Sequence, residues 1–295
     1  MKLRIGSRDS RLAVVQTETI MSALQAAYPD ITLELVAMKT TGDKILDRTL
    51  EEIGGKGLFV RELDAALREG RVDLTVHSCK DLPTEIPTDL PIAAFTGRED
   101  PRDVLVLPLG VAEWDRSLPT GSASPRRRLQ LQRISPGLRV APVRGNIQTR
   151  LRKLDEGMYG GLVLAAAGLK RLGLSDRISR YFSPEELLPA AGQGILAVQC
   201  RADMDPWFLD CVRDPEVEAC ARAERAFTAA LGGGCSAPAA AYAVVDGEQI
   251  TITGMYADDQ ERIYQSAVSG PLTEGEALAA ALAKRLKEDA ECPEK

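Results

Sequence analysis

No run in this chain approaches the roughly eighteen consecutive apolar residues of a membrane-spanning helix, so no membrane span is expected. The opening "MKLRIGSRDSRLAVV" lacks a secretory apolar core with a small-residue cleavage site, and a cytoplasmic protein is expected. The six cysteines form no CxxC pair and fit neither a zinc site nor a small disulfide framework. Reduced thiols and no metal centre follow. There is one histidine, His77, so a Cys-His or Ser-His mechanism would have to run through it. In "EEIGGKGLFVREL", Lys56 is followed by Gly57 and Leu58, with no Ser or Thr where a phosphate loop needs one. That stretch reads as a glycine-rich lid carrying Lys56 and Phe59. Net charge is −6, which argues against a general nucleic-acid binder. Short repeats and low-complexity linkers are also lacking.

What is present suffices for two or three domains: 295 residues, 44% apolar and 27% charged. "KLRIGS", a helix from Ser10, "ITLELVAMKT", the helical "GLFVRELDAALREG" and "RVDLTVHS" alternate as strand and helix. A second alternation begins near Asp100, with "DVLVLP", "SPRRRLQLQRI", "LRVAPVRG", "IQTRLRKLDEG" and "GGLVLAAAGLKRLGL". Ser124 and Asn146 are the expected N-caps of two of its helices, and Pro125 the expected first helical residue. "LPAAGQGILAVQC" reads as a chain returning to a sheet. The remainder differs: a helix ending in glycines, antiparallel strands with a "DG" turn, and a closing amphipathic helix. Two α/β domains with largely parallel sheets and a small α+β C-terminal domain are predicted.

The arginines are clustered, although the chain is acidic. Arg8 and Arg11 bracket Ser10; Arg126, Arg127 and Arg128 are consecutive; Arg144, Arg150 and Arg152 follow closely. Several fall at predicted strand-to-helix turns, where helix N-termini already favour anions. Arginine in a first helical turn opposes the dipole, which makes sense if an anion binds between such residues. Taken singly, each is accounted for as a solvated surface residue; their recurrence at three such turns points to a ligand with several carboxylates or phosphates. "VHSCKDLP" adds a polar set at a strand end. There Lys80 can neutralise a carboxylate, and Asp81 is either a general acid/base or the cap of a turn before Pro83. "LGGGCSAP" places Cys235 on a pliable backbone. A buried thiol after a helix cap, a nucleophile and a covalent attachment point all fit that context. On these features alone a two-domain solute-binding or effector-sensing protein leads, ahead of a hydrolase using Cys235 and His77.

"KGLFVREL", "VHSCKDLP", "REDPRDVLV", "VRGNIQTRLRKLD", "LAAAGLKRLGL", "PAAGQGILAVQCR" and "GGGCSAP", in this order, resemble the porphobilinogen deaminase (hydroxymethylbilane synthase) family over nearly the whole chain. The resemblance implies a transferase of porphyrin and haem biosynthesis. It implies two periplasmic-binding-protein-like α/β domains with mixed, mostly parallel sheets plus a small α+β C-terminal domain. Their expected bounds are 1–95 with 194–214, 96–193 and 215–295. It implies condensation of four porphobilinogen molecules, with loss of ammonia, on a dipyrromethane cofactor held by a thioether to Cys235. Release of the linear 1-hydroxymethylbilane then follows. By the same matching Asp81 is catalytic. Arg8, Ser10, Lys80, Ser122, Ser124, Arg126, Arg127, Arg144, Arg150, Arg171 and Gln193 bind cofactor and substrate. A monomer is implied, with a small-molecule substrate and neither nucleic acid nor membrane as partner. The chain departs from the family pattern at Cys79, where methionine is usual, at Arg11, often proline, and in "SASPRRR", which adds Pro125 and Arg128. Cys79, so near the expected site, is a candidate for oxidation.

Overall fold

A computed structural model describes residues 1–44, 60–232 and 238–291. The first sheet begins with β1 (Lys2–Arg8), β2 (Thr32–Met38), β3 (Leu74–Ser78) and β4 (Ile92–Phe95). The chain then builds β5 (Asp103–Val106), β6 (Thr120–Gly121), β7 (Val140–Ala141), β8 (Gly161–Ala165) and β9 (Arg180–Tyr181) of a second sheet. It returns to the first as β10 (Leu196–Cys200). The strand orders are β2-β1-β3-β10-β4 and β7-β6-β8-β5-β9. Both follow one plan: three adjacent parallel strands, then one antiparallel strand contributed from across the molecule, then an edge strand. This is the expected pair of mixed, mostly parallel α/β units.

The central strands explain the pattern. "LTVHS", "GLVLA" and "LAVQC" are buried almost throughout, as strands covered on both faces must be. The Arg11–Ala27 helix closes one face of the first sheet, packing Ile20 and Leu24 against Leu3, Ile5, Leu74, Val76 and Val198. In the second sheet, Leu151, Leu154 and Leu169 from the covering helices meet Val104, Val106, Leu162 and Leu164. The predicted strand "LRVAPVRG" contracts to Val140–Ala141, because Pro142 has no N–H to continue the ladder.

The last part of the chain forms a three-stranded antiparallel meander, β11 (Ala239–Asp246), β12 (Gln249–Ala257) and β13 (Ile263–Pro271). Asp246 pairs with Gln249 around a tight turn whose Gly247 has φ +59°, as the "DG" signal requires. The Pro215–Ala230 and Gly275–Glu291 helices cover it, burying Phe227, Leu282 and Leu286 against Ile250 and Ile252. No helix among the described residues is long and apolar enough to cross a membrane.

Two segments cross between the first two sheets, 96–102 outward and 182–195 back. They lie side by side: the Thr96 N–H donates to the Leu196 carbonyl and the Glu99 N–H to the Gly194 carbonyl, both at 3.1 Å. Gly194 has φ +90°, and a Cβ there would stand 2.2 Å from the Glu99 carbonyl oxygen. Gly194→Ala is therefore expected to lower stability by about 2 kcal/mol or more in urea titration, since both the dihedral and a backbone atom oppose it.

Candidate functional site

The carboxyl ends of β1, β3, β7 and β8, with the helix that follows β6, meet at one cleft between the two sheets, where open α/β sheets bind their ligands. The cleft holds a cavity of about 650 Å³. Among the described residues, eight cationic side chains line it against two carboxylates, Asp9 and Asp81. From the first sheet come Arg8 at the end of β1, Ser10 and Arg11 at the start of the following helix, and Lys80 and Asp81 after β3. From the second come Arg127, Arg144, Arg150, Lys153 and Arg171.

Local sequence sets each position. Ser10, Ser124 and Asn146 cap their helices, accepting from the N–H groups of Ala13, Arg127 and Thr149. Each cap turns the strand end sharply into its helix. Lys80 and Asp81 stand on a single 3₁₀ turn, Cys79–Asp81, closed by the Leu82 N–H donating to the Cys79 carbonyl at 3.2 Å. Arg150 donates from Nε to the Gly145 carbonyl at 2.8 Å, and Arg171 from Nη2 to the Gly194 carbonyl at 2.6 Å.

Among the described residues, cationic side chains outnumber carboxylates at the cavity. Burial, then the neighbouring Arg127 and Arg144, pulls Arg150 down to about 10, with Asp81 opposing. Burial, with Arg127 and Arg126 acting the same way, lowers Lys80 to about 8, against the pull of Asp81 and Asp103. Burial also lowers Arg171. Groups so disposed gain from a bound anion, which would restore their ordinary affinity for protons.

Arg126 and Arg127, in the first turn of the Pro125–Ile134 helix, meet an anion supplied by the protein itself. Asp103 on β5 is fully buried and accepts from Arg126 Nη2 at 2.8 Å and from Arg127 Nη2 and Nε at 2.7 and 3.1 Å. The two guanidinium groups hold its carboxyl well below the usual range, against burial. Arg126 also donates to the Leu188 carbonyl and is not part of the cavity wall, whereas Arg127 is. Ser122 and Ser124 also stand behind the wall, where the Ser122 hydroxyl accepts from the Ser124 N–H. Gln193 is buried behind Lys80, whose ammonium donates to its carbonyl oxygen at 3.2 Å. Lys56, Phe59 and Cys235 lie outside the described residues.

Two expectations change. Cys79 is buried, not poised for oxidation: it packs beneath Gly192, and burial pushes its thiol up to about 11. His77 is buried beside Thr75 with its ring pushed down to about 3, chiefly by burial, and is neutral. It offers no general base to the cavity. Sequence reasoning missed Asp103, Asp9, Gln16 and Lys153. Of these, Asp103 had left a trace, as the one charge in the otherwise apolar strand "DVLVLP". Among the departures from the family pattern, Arg11 lines the cavity, while Arg128 makes a two-pronged contact with Glu261 of the C-terminal unit.

Residues 3–207 match the family model described as "Porphobilinogen deaminase, dipyromethane cofactor binding domain", and 218–288 match "Porphobilinogen deaminase, C-terminal domain". The chain belongs to the porphobilinogen deaminase family. It is 53% identical over 291 residues to a porphobilinogen deaminase of Acetivibrio thermocellus, covering 99% of this chain and 100% of that protein. It is 47% identical over 290 residues to one of Chromobacterium violaceum, covering 97% and 94%. Among solved structures, a periplasmic aliphatic sulphonate binding protein of Escherichia coli is similar with TM-score 0.41 and 13% identity, over 77% of this chain and 70% of that one. As a porphobilinogen deaminase family member the chain is an enzyme, a transferase of tetrapyrrole biosynthesis with a dipyrromethane cofactor.

Proposed function

We propose that the cavity is where four porphobilinogen molecules are joined head to tail, each losing ammonia, on a dipyrromethane held by a thioether to Cys235. Hydrolysis then releases 1-hydroxymethylbilane. The observation that carries this reading is the excess of cationic over anionic side chains around Asp81 among the described residues. Every pyrrole of such a chain bears an acetate and a propionate, so the ligand's charge grows with each addition. A wall of guanidinium groups fits that ligand and would suit neither a neutral nor a cationic one.

When bound, the dipyrromethane supplies the nucleophilic pyrrole carbon at which the new bond forms. Arg8, Arg127, Arg144, Arg150, Arg171 and Lys80 hold carboxylates, with Ser10 at the β1 end. Ser122, Ser124 and Arg126 fix the turn that presents Arg127. Asp81 stands beside the aminomethyl group of porphobilinogen. Loss of ammonia leaves a cation on the substrate, which the Asp81 carboxylate stabilises, and the same carboxylate takes the proton released when the new bond forms.

The three sheets support a division into domains at 1–95 with 194–214, 96–193 and 215–295. A cytoplasmic monomer acting on a small molecule, with no nucleic-acid partner, completes the reading. Intact-mass measurement of the denatured protein, purified from cells that make porphobilinogen, is expected to exceed the bare chain by two pyrrole units. Cys235→Ser is expected to remove that increment. A bare-chain mass for the native protein would overturn the cofactor assignment.

A further inference from the structure

We propose that Gln193 is a positioning residue: its side-chain amide, oriented by Asp103, holds the Lys80 ammonium at the cavity wall and keeps it charged. This role rests on the cavity being the site of chain elongation.

The geometry leaves the amide one orientation. Gln193 is 1% exposed. Its Nε2 donates to Asp103 Oδ1 at 2.9 Å and to the Pro101 carbonyl at 2.6 Å, and its Oε1 accepts from Lys80 Nζ at 3.2 Å. Turned over, the amide would set an NH₂ against an ammonium, and an oxygen against a carboxylate and a carbonyl. Three mismatches replace three hydrogen bonds, so the carbonyl dipole is locked onto Lys80. Asp103 is in turn locked by Arg126 and Arg127. The result is a continuous polar path from the helix of one sheet, through β5 and the returning crossover, to the strand end of the other.

Lys80 needs that acceptor because of its neighbours. Arg127 and Arg126 on the facing helix disfavour its charge, as does burial, while Asp81 on its own turn and Asp103 on β5 favour it. The ammonium is therefore pulled down to about 8, where a modest change in its surroundings alters its charge. A fixed carbonyl oxygen stabilises the protonated form only, and removing it shifts the balance toward the neutral amine. A neutral amine loses its attraction for a substrate carboxylate. The same carbonyl leaves the other ammonium protons directed to the cavity, so charge and aim are set together.

The test is the pH profile of kcat/KM for the holoenzyme. The wild type is expected to lose kcat/KM through an alkaline limb near pH 8, where Lys80 deprotonates. Gln193→Met, of similar size but without the carbonyl, is expected to move that limb down by about one pH unit. The loss is then about five-fold at pH 8 and small at pH 6. Gln193→Glu, protonated beside Asp103, donates to that carboxylate and keeps its carbonyl oxygen on Lys80, so its limb stays near the wild-type position. In a Lys80→Arg background the limb vanishes, and Gln193→Met then leaves the pH dependence unchanged. A role confined to tying the crossover together predicts equal loss at every pH and an unmoved limb; that result, or an equal downward shift for Gln193→Met and Gln193→Glu, overturns the assignment. If Gln193→Met fails to fold, Gln193→Asn, whose shorter amide draws its oxygen back from Lys80, carries the test with the same downward shift expected. Acylation of Lys80 against pH, read by peptide mass spectrometry, reports the same shift without turnover, so a failure of the elongation reading stays separate from a failure of this one.

Discussion

Asp81→Asn is expected to keep the two-pyrrole mass increment while losing about 10²- to 10⁴-fold in turnover, the range that a positioned acid/base supplies. Asparagine is nearly isosteric, and Asp81 sits half-exposed on a short turn closed by backbone hydrogen bonds. The fold should survive, as unchanged circular dichroism and thermal unfolding would show. What disappears is one of the two carboxylates that face the cavity among the described residues. The surroundings make that loss worse than the removal of a proton acceptor. Asp81 favours the charged forms of both Lys80 and Arg150, so without it both shift further toward the neutral form. The alkaline limb of kcat/KM should consequently begin at lower pH than in the wild type. A cationic intermediate formed there would face the cationic side chains of the cavity without that carboxylate beside it. Near-normal turnover would remove Asp81 from the chemistry.

Much of this was legible in the residues, and the parts that were share a physical cause. Helix starts are local: a Ser or Asn side chain that satisfies a free N–H three residues on is recognisable wherever it stands, and Ser124 and Asn146 were placed correctly. Strands buried on both faces announce themselves as short apolar runs, hence β3, β8 and β10. The two-residue strands β6, β7 and β9 carry no pattern of their own, and pair only because longer neighbours offer partners. The convergence of arginines at strand ends followed from topology, but not which way each would point. Arg126 and Arg127 are adjacent in sequence and alike in chemistry. Only the first is drawn wholly inward, because the Leu188 carbonyl and Asp103 Oδ2 lie on that side. No local rule foresees a partner dozens of residues away, and Cys79 escaped for the same reason: its burial is due to Gly192, which comes from the distant crossover.

Asp103→Asn is expected to cost about 3–5 kcal/mol of stability, the usual penalty for removing one partner of a buried ion pair. At the few degrees per kcal/mol usual for chains of this size, thermal unfolding should begin roughly 10 °C lower. The carboxylate is fully buried and shared by two guanidinium groups and one amide. Asparagine retains one acceptor, but its NH₂ must then face either Arg126 or the Arg127–Gln193 side, donor against donor. Two buried positive charges are left without their counter-charge. Because these groups adjoin Lys80, the ammonium should become easier to deprotonate as well, since Asp103 favours its charged form. A compensated variant separates charge from shape. Asp103→Leu combined with Arg126→Met removes one cation along with the anion and fills the space with apolar atoms. It should recover part of the stability lost by Asp103→Asn, because exchanging a buried ion pair for well-packed apolar groups is often close to neutral. It should not recover turnover, since Arg127 and Gln193 would still lack the carboxylate that aims them. Recovery of both together would mean that Asp103 contributes packing alone, and that the path from Arg127 to Lys80 has no part in the chemistry.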